Sequence, residues 1–508
     1  MDERLEKRFE EIESIAKAKG LDFFPVVYEE VPREVIWDVA SYGLPTRMSH
    51  WSFGRSYVHQ KYYGEMGSSK IYELVLNNDP SFAFLDLTNP DVVNMLVCAH
   101  VCAHSDFFKN NVCFSRTNRN MVNQAERNAK TIDLYKNKFQ IDVVEDWMDV
   151  GFALDAHIDW RLGEDRQRYP EPEMVQKVIN PLPFSDIHGD DDKPRVKRYI
   201  KNSQFPPFKE RDLLFFLVNY AQMLPWQREV LNIIRSEAYY FAPQFLTKIM
   251  NEGWASYWHA QIMYEYDGIS PEEHLDFAKA HASVVSPGWN GGFNPYYVGF
   301  RIFKDIEERW DEAFKKGQAD SQFMSSPEVE RYDDKGNLVM SKANGRQKMF
   351  QVRAEDDDIS FIMNYLTDDL IEDMELFTYG LRGKTDEPDD DDIILRSRKG
   401  DQVRKIITEK LHNNGAPLIS VVEASSGTLV LEHDPHDEMP LDPKYAKETM
   451  KYVRAVWKNK VVLKTKDRYG RPFEYRATID GVSMIDTNGN ILDSGEEEEE
   501  EADNQGSP

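Results

Sequence analysis

Cysteine is scarce in this chain: Cys98, Cys102 and Cys113 are the only three among 508 residues. A small, odd number argues against a disulfide framework and for a reducing compartment. Long apolar runs are also missing, and no uninterrupted stretch approaches the ~18 residues that a membrane span needs. The first residues, Met1-Asp2-Glu3-Arg4-Leu5-Glu6, lack a positive region followed by an apolar one, so no secretory signal is expected. Positive charge is in deficit, with 62 Lys and Arg against 89 Asp and Glu and a net charge of −27. Such a surface repels phosphate backbones and anionic headgroups, which disfavours nonspecific nucleic-acid and membrane binding. These absences together predict a cytoplasmic protein.

What is present is enough apolar and aromatic material, 41% and 12% of residues, for a large packed core. The length exceeds one ordinary core and predicts two or more domains. The pattern predicts an α+β protein. A mainly helical domain spans 1–320, a polar link 321–346, a small α/β module 347–484, and a disordered acidic tail 485–508 that includes the run Glu496 to Glu501.

Within the first domain, residues 1–20 read as an amphipathic helix with Leu5, Phe9, Ile12 and Ile15-Ala16 on one stripe, closed by Gly20. A loop-rich stretch follows, then a strand at Phe82 to Leu87 between Pro80 and Pro90. Asn89 is placed to cap a helix running from Val92 to about Phe108, apolar on nearly every side. Residues 120–165 read as helical and 166–208 as a surface excursion. Helices are predicted over Asp212 to Phe241, with Pro243 breaking or restarting the next one, over 271–285, and from Pro295 to Lys316. In the second module, Leu418–Val422 and Thr428–Glu432 read as paired strands, Lys444–Trp457 as a helix, and Val461–Thr465 with Phe473–Ala477 as a closing hairpin.

Two segments carry the chemistry. Asn251 to His259 places Glu252 and His259 two helical turns apart, on one face with Ser256 and Met263. Titratable groups among large apolar side chains need a metal, a partner or a substrate to be buried there. In the second segment, His100 and His104 lie four residues apart, about 6 Å along a helix, a spacing that lets both imidazoles bind one ion. Glu252 is the best third ligand, for zinc first and iron second. Some 10 Å of backbone separates His259 from Glu252, which assigns His259 to substrate orientation, proton transfer or support of the ligands. Asp106 and His259 are the candidate acid–base residues; His50, Trp254 and His281 are candidates for the substrate pocket.

A zinc-protease helix carries its glutamate base directly after the first histidine, and here that residue is Val101. Three readings therefore stand: a metal-dependent hydrolase, a non-catalytic scaffold with a buried polar network, and a histidine–carboxylate iron oxidoreductase. Glu229 or Glu237 as an added ligand would favour the last. Cys98 and Cys102 lie on another stripe of the same helix and read as small core residues.

Several words of the sequence resemble the SpoVR family, the stage V sporulation protein R-like proteins. They are His50-Trp51-Ser52-Phe53-Gly54, Tyr72-Glu73-Leu74-Val75, and His104 followed by Phe107-Phe108-Lys109-Asn110-Asn111. Further along come Trp226-Gln227-Arg228-Glu229, Asn251 through His259, and Asn294-Pro295-Tyr296 with Gly299-Phe300. They run in order through about residue 310, and the C-terminal module is more loosely similar. The resemblance implies a cytoplasmic bacterial protein linked to the peptidoglycan cortex of spores, or to stationary-phase stress. It also implies operation beside a serine protein kinase and a von Willebrand-type domain protein. His104 is carried by the adjoining FFKNN word. The His-xxx-His pair with a later Glu-Gly-Trp-Ala segment is also similar to zincin-type peptidases, with Val101 as the departure.

Overall fold

The computed structural model describes residues 2–65, 73–170, 174–179, 195–200, 205–287, 293–316, 330–332, 338–340, 343–381, 393–425, 427–435 and 440–493. In chain order the first elements are α1 (Glu3–Ala18), β1 (Val26–Val31), α2 (Arg33–Tyr42), α3 (Trp51–Glu65), β2 (Glu73–Leu76), β3 (Ser81–Asp86), α4 (Asp91–Asn110), α5 (Met121–Phe139) and α6 (Ile141–Phe152). Next come β4 (Met174–Ile179), β5 (Arg195–Ile200), α7 (Leu213–Tyr220), α8 (Pro225–Leu246), α9 (Lys248–Glu265), α10 (Pro271–Val284) and α11 (Pro295–Lys316). Short strands β6 (Glu330–Tyr332) and β7 (Leu338–Met340) precede α12 (Gly345–Glu355), α13 (Asp358–Tyr365) and α14 (Asp368–Asp373). The chain ends with β8 (Thr378–Leu381), β9 (Ile393–Ser397), α15 (Gly400–Leu411), β10 (Leu418–Ser425), β11 (Thr428–Asp434), α16 (Pro443–Trp457), β12 (Val461–Lys466), β13 (Pro472–Thr478), β14 (Gly481–Asp486) and β15 (Ile491–Asp493). The fold is α+β. Among the described residues, no helix is long and apolar enough to cross a membrane.

The chain divides into two compact units, each made of two separate stretches. One is Met1–Asn137 with Tyr240–Gly415, the other Lys138–Tyr239 with Ala416–Pro508.

In the first unit, α1 begins where the Asp2 carboxylate accepts from Leu5 N at 2.8 Å, and it buries Leu5, Phe9, Ile12 and Ala16. Gly20 then turns the chain at φ +92°, a backbone conformation that favours glycine. The stretch read from sequence as loop-rich instead holds β1, α2 and the start of α3. β1 pairs parallel to β3, and β2 antiparallel to β3, giving the order β1-β3-β2. A parallel pairing of residues 55 apart leaves no hairpin signal, which is why β1 escapes a local reading. α4 starts at Pro90 without a side-chain cap; Asn89, expected to cap it, gives its amide to Asn94 Oδ1 at 3.1 Å. α4 is buried on every face from Val92 to Phe108.

α9 packs against both α4 and α11. It meets α11 backbone to backbone, since a Cβ on Gly253 would lie 2.4 Å from Gly299 Cα. Its first turn is held by the Asp358 carboxylate of α13, which accepts from Ile249 N and Met250 N at 2.8 Å each. Pro243, expected to break a helix, lies inside α8, which ends at Leu246. α10 opens with a reciprocal cap between Ser270 and Glu273, and Glu273 also pairs with Arg8 of α1 at 2.9 Å.

In the second unit, the run expected to be helical to residue 165 stops at Phe152, with Gln140 at positive φ between α5 and α6. The excursion at 166–208 contains the antiparallel pair β4–β5; its remaining parts between 171 and 204 lie outside the described residues. The C-terminal stretch forms a six-stranded sheet in the order β10-β11-β12-β13-β14-β15. β10–β11 and β12–β13 are the expected antiparallel pairs. β11 and β12 run parallel and are joined through α16, which buries Ala446, Met450, Val453 and Val456. Along β11 burial alternates, so Leu429, Leu431 and His433 face inward. The sheet continues through β15 to Asp493, so residues 485–493, expected in a disordered tail, are strand and turn. The glutamates 496–501 and most of the expected link at 321–346 lie outside the described residues.

Candidate metal centre

α4 and α9 bring the two chemical segments together within the first unit. His100 and His104 are one turn apart on α4, with ring centroids 4.5 Å apart and planes nearly perpendicular. Glu252 Oε2 from α9 lies 3.7 Å from His100 Nε2 and 3.3 Å from His104 Nε2. One donor atom from each of the three residues falls within 4.8 Å of the other two, and all three side chains are buried. Among the described residues this is the one such group of three or more His, Cys, Asp or Glu.

The hydrogen bonds around the group decide where its lone pairs point. His104 Nδ1 is 2.9 Å from Asn251 Oδ1, an acceptor, so the ring carries a proton on Nδ1 and its Nε2 faces Glu252, offering a lone pair to an ion or, when protonated, an N–H to the carboxylate. Glu252 Oε1 accepts from Lys248 Nζ at 2.5 Å, while Oε2 makes no hydrogen bond of good geometry. A carboxylate oxygen and an imidazole lone pair facing each other in a buried site repel unless a proton or a cation sits between them. The donor set is therefore suited to a divalent ion of the kind bound by nitrogen and oxygen.

Burial pushes the Glu252 carboxyl up, but Lys248 and the two imidazoles outweigh it and hold it well below the ordinary carboxylate range. Glu252 is thus an anion in the folded protein. His259 is held well below the ordinary imidazole range by burial first and by its three histidine neighbours next, so it is neutral. Its Nδ1 is 2.9 Å from His100 Nδ1, and its Nε2 is 2.7 Å from His281 Nδ1. His281 is half-buried at the end of α10, between Phe277 and Phe300. The aromatic ring of Tyr296 stacks on His100 with centroids 6.1 Å apart, and Phe108 stacks on His104 at 6.0 Å. Lys248 Nζ also sits over the Tyr296 ring at 5.8 Å.

The other residues singled out from sequence make different contacts. Asp106 is two residues, about 200°, around α4 from His104. It accepts from Trp254 Nε1 at 2.9 Å and from Asp22 N at 2.8 Å, and it pairs with Arg353 at 3.4 Å. Burial pushes its carboxyl up to about 6. Trp254 is wholly buried, edge-on to Trp258, Phe303 and Phe350. His50 bonds to Ser52 Oγ at 2.7 Å at the start of α3. Cys98 Sγ donates to Tyr28 Oη of β1 at 3.3 Å, on another face of α4 from the histidines. Glu229 and Glu237 belong to the second unit.

Asn251, Lys248 and Tyr296 carry roles that no reading of the sequence assigned. Lys248 had a signal, since it precedes Glu252 by one helical turn. Asn251 and Tyr296 had none beyond their place in the NEGWASYWH and Asn294-Pro295-Tyr296 words.

Comparison with known proteins accounts for almost the whole chain. A family model described as SpoVR like protein matches residues 2–416, and one described as SpoVR-like C-terminal domain matches 417–468. An uncharacterized protein of Escherichia coli K12, YcgB, is 28% identical in an alignment of 501 positions that covers 91% of each chain. No solved structure matches. With the two models meeting end to end at residue 416, the chain belongs to the SpoVR family.

Proposed function

We propose that this protein is a metal-dependent enzyme centred on His100, His104 and Glu252, with zinc as the ion and a peptide or cell-wall precursor as the substrate to be hydrolysed. The observation that carries this reading is the convergence of three buried donor atoms within 4.8 Å, among which Glu252 Oε2 has no hydrogen bond of its own. A divalent ion held there supplies Lewis-acid polarisation of a substrate carbonyl if it is zinc, and one-electron chemistry if it is iron. Asn251 holds the His104 ring so that Nε2 faces the centre. Lys248 neutralises the outer oxygen of Glu252, and Tyr296 and Phe108 wall the imidazoles from water. The setting carried over from the family resemblance, spore-cortex formation or stationary-phase stress beside a serine kinase and a von Willebrand-type protein, belongs to the same proposal.

One observation favours the second reading, an iron oxidoreductase. Hydrolysis calls for a general base, yet Val101 occupies the zinc-protease position and Asp106 is committed to Trp254, Asp22 and Arg353. Two histidines and one carboxylate are the ligand set of non-haem iron oxygenases, which need no such carboxylate.

Elemental analysis of the purified, untagged protein separates these readings. About one zinc per chain, lost in a folded variant carrying His104→Ala and Glu252→Ala, supports the hydrolase; about one iron supports the oxidoreductase. No metal in the wild type, even after reconstitution, overturns both and makes the cluster a buried polar network in a scaffold.

A further inference from the structure

We infer that His259 and His281 are working parts of the same centre. They form with His100 a one-way chain of imidazoles that fixes the His100 tautomer, and a hydrogen-bond acceptor at position 281 sets its direction. The inference rests on the metal reading above.

A neutral imidazole has one N–H and one lone pair, so fixing one ring in a contiguous chain fixes the rest. If His100 presents the Nε2 lone pair to an ion beside Glu252, its proton is on Nδ1, which donates to His259 Nδ1 across 2.9 Å. His259 must then carry its own proton on Nε2, which donates to His281 Nδ1 across 2.7 Å. His281 closes the sequence as an acceptor at Nδ1. Run in the opposite sense, the chain puts a proton on His100 Nε2 aimed at Glu252 Oε2, and the ion loses a ligand. The two senses are mutually exclusive, and the outermost ring selects between them.

This makes His281 a positioning residue at two removes from the ion. His104 is served in the same way by Asn251, so both ligand rings have an acceptor on Nδ1. Supports of this kind commonly account for a 10–100-fold difference in metal affinity. Packing alone makes no such demand. Phe277 and Phe300 flank His281, and an apolar side chain would satisfy them equally.

The test uses the full chain and cobalt(II), whose visible absorption reports ligand number and geometry. Two variants of similar size are compared, His281→Asn, which retains an acceptor near the Nδ1 position, and His281→Leu, which does not. Affinity is measured by competition with a chromophoric chelator, and folding by circular dichroism. His281→Leu is expected to bind cobalt about 10–100-fold more weakly with altered visible bands, and His281→Asn to stay close to wild type. Equal affinity and spectra for wild type and His281→Leu would overturn the inference while leaving the metal reading intact. So would equal weakening by both substitutions, which would mark a packing role. A wild type that takes up no cobalt, or binding that persists in the His104→Ala, Glu252→Ala variant, overturns the metal reading and the inference with it. If His281→Leu fails to fold, His281→Phe supplies the apolar arm, matched to its aromatic neighbours.

Discussion

Asp106 and His104 are two residues apart on α4 and face opposite ways. Asp106 holds Trp254 of α9, the backbone of Asp22 and the guanidinium of Arg353. Removing it leaves Arg353 as a buried charge without its partner, so Asp106→Ala should destabilise by about 3–5 kcal/mol. Bound metal per folded chain should not change, and urea denaturation beside elemental analysis reads both. The pH dependence has a defined sign. The Asp106 carboxyl titrates at about 6 in the folded protein and at about 3.9 in an unfolded chain. Between those values the folded state retains a proton that the unfolded state has lost, so this group's contribution falls as pH rises from about 4 to about 6. Asp106→Asn should flatten that part of the urea midpoint profile; an unchanged slope would assign it to other carboxyls. Much of this scale was legible: the spacing of His100 with His104, and of Glu252 with His259, placed the donors on two helix faces. The angular offset of Asp106 was legible too, in the same arithmetic. His281, 22 residues beyond His259, was named for a pocket without any sign that it touches His259, because that contact is made between helices.

The elements that hold the centre depend on two features of α9. A methyl group on Gly253 would come within 2.4 Å of Gly299 Cα and 2.3 Å of its carbonyl carbon. Backbone cannot yield as a flexible side chain can, so Gly253→Ala must separate α9 from α11, at a cost of at least about 1–3 kcal/mol. Because Tyr296 rides on α11, the same change should weaken cobalt binding at Glu252. A lowered melting temperature with unchanged cobalt affinity would show that the separation does not reach the centre. At the other feature, Asp358→Ala frees two N–H groups in the first turn of α9, a loss of about 1–3 kcal/mol visible in the melting temperature. α1, α4, α10 and α11 were legible because each has a signal within its own sequence, an apolar stripe in α1 and an apolar run opened by Pro90 in α4. Periodicity missed α3, whose Trp51, Val58 and Tyr62 are exposed and blur any apolar stripe. The cap on α9 was beyond a local reading altogether, since its donor and acceptor are 109 and 108 residues apart.

At the scale of the molecule, the first unit is closed by residues that come late in the chain. α12 supplies Arg353 to Asp106, and α13 supplies Asp358 to α9. A fragment ending at residue 320 should therefore fail to fold, giving a circular dichroism spectrum without a cooperative thermal transition. A sharp transition would show that α1 to α11 suffice. Composition shifts suggest boundaries where chain character changes, but a unit assembled from Met1–Asn137 and Tyr240–Gly415 has no such marker at its joins. The same arrangement bears on synthesis. A ribosome that adds about 5–20 residues per second finishes Asp358 roughly 10–50 s after His100. For the earlier part of that interval α4, which in the finished protein is buried on every side, has only α1 and the strands before it as cover, because α9 is complete only at Glu265. The nascent chain thus carries a partly uncovered apolar helix for roughly 10–30 s, open to chaperones before the unit closes.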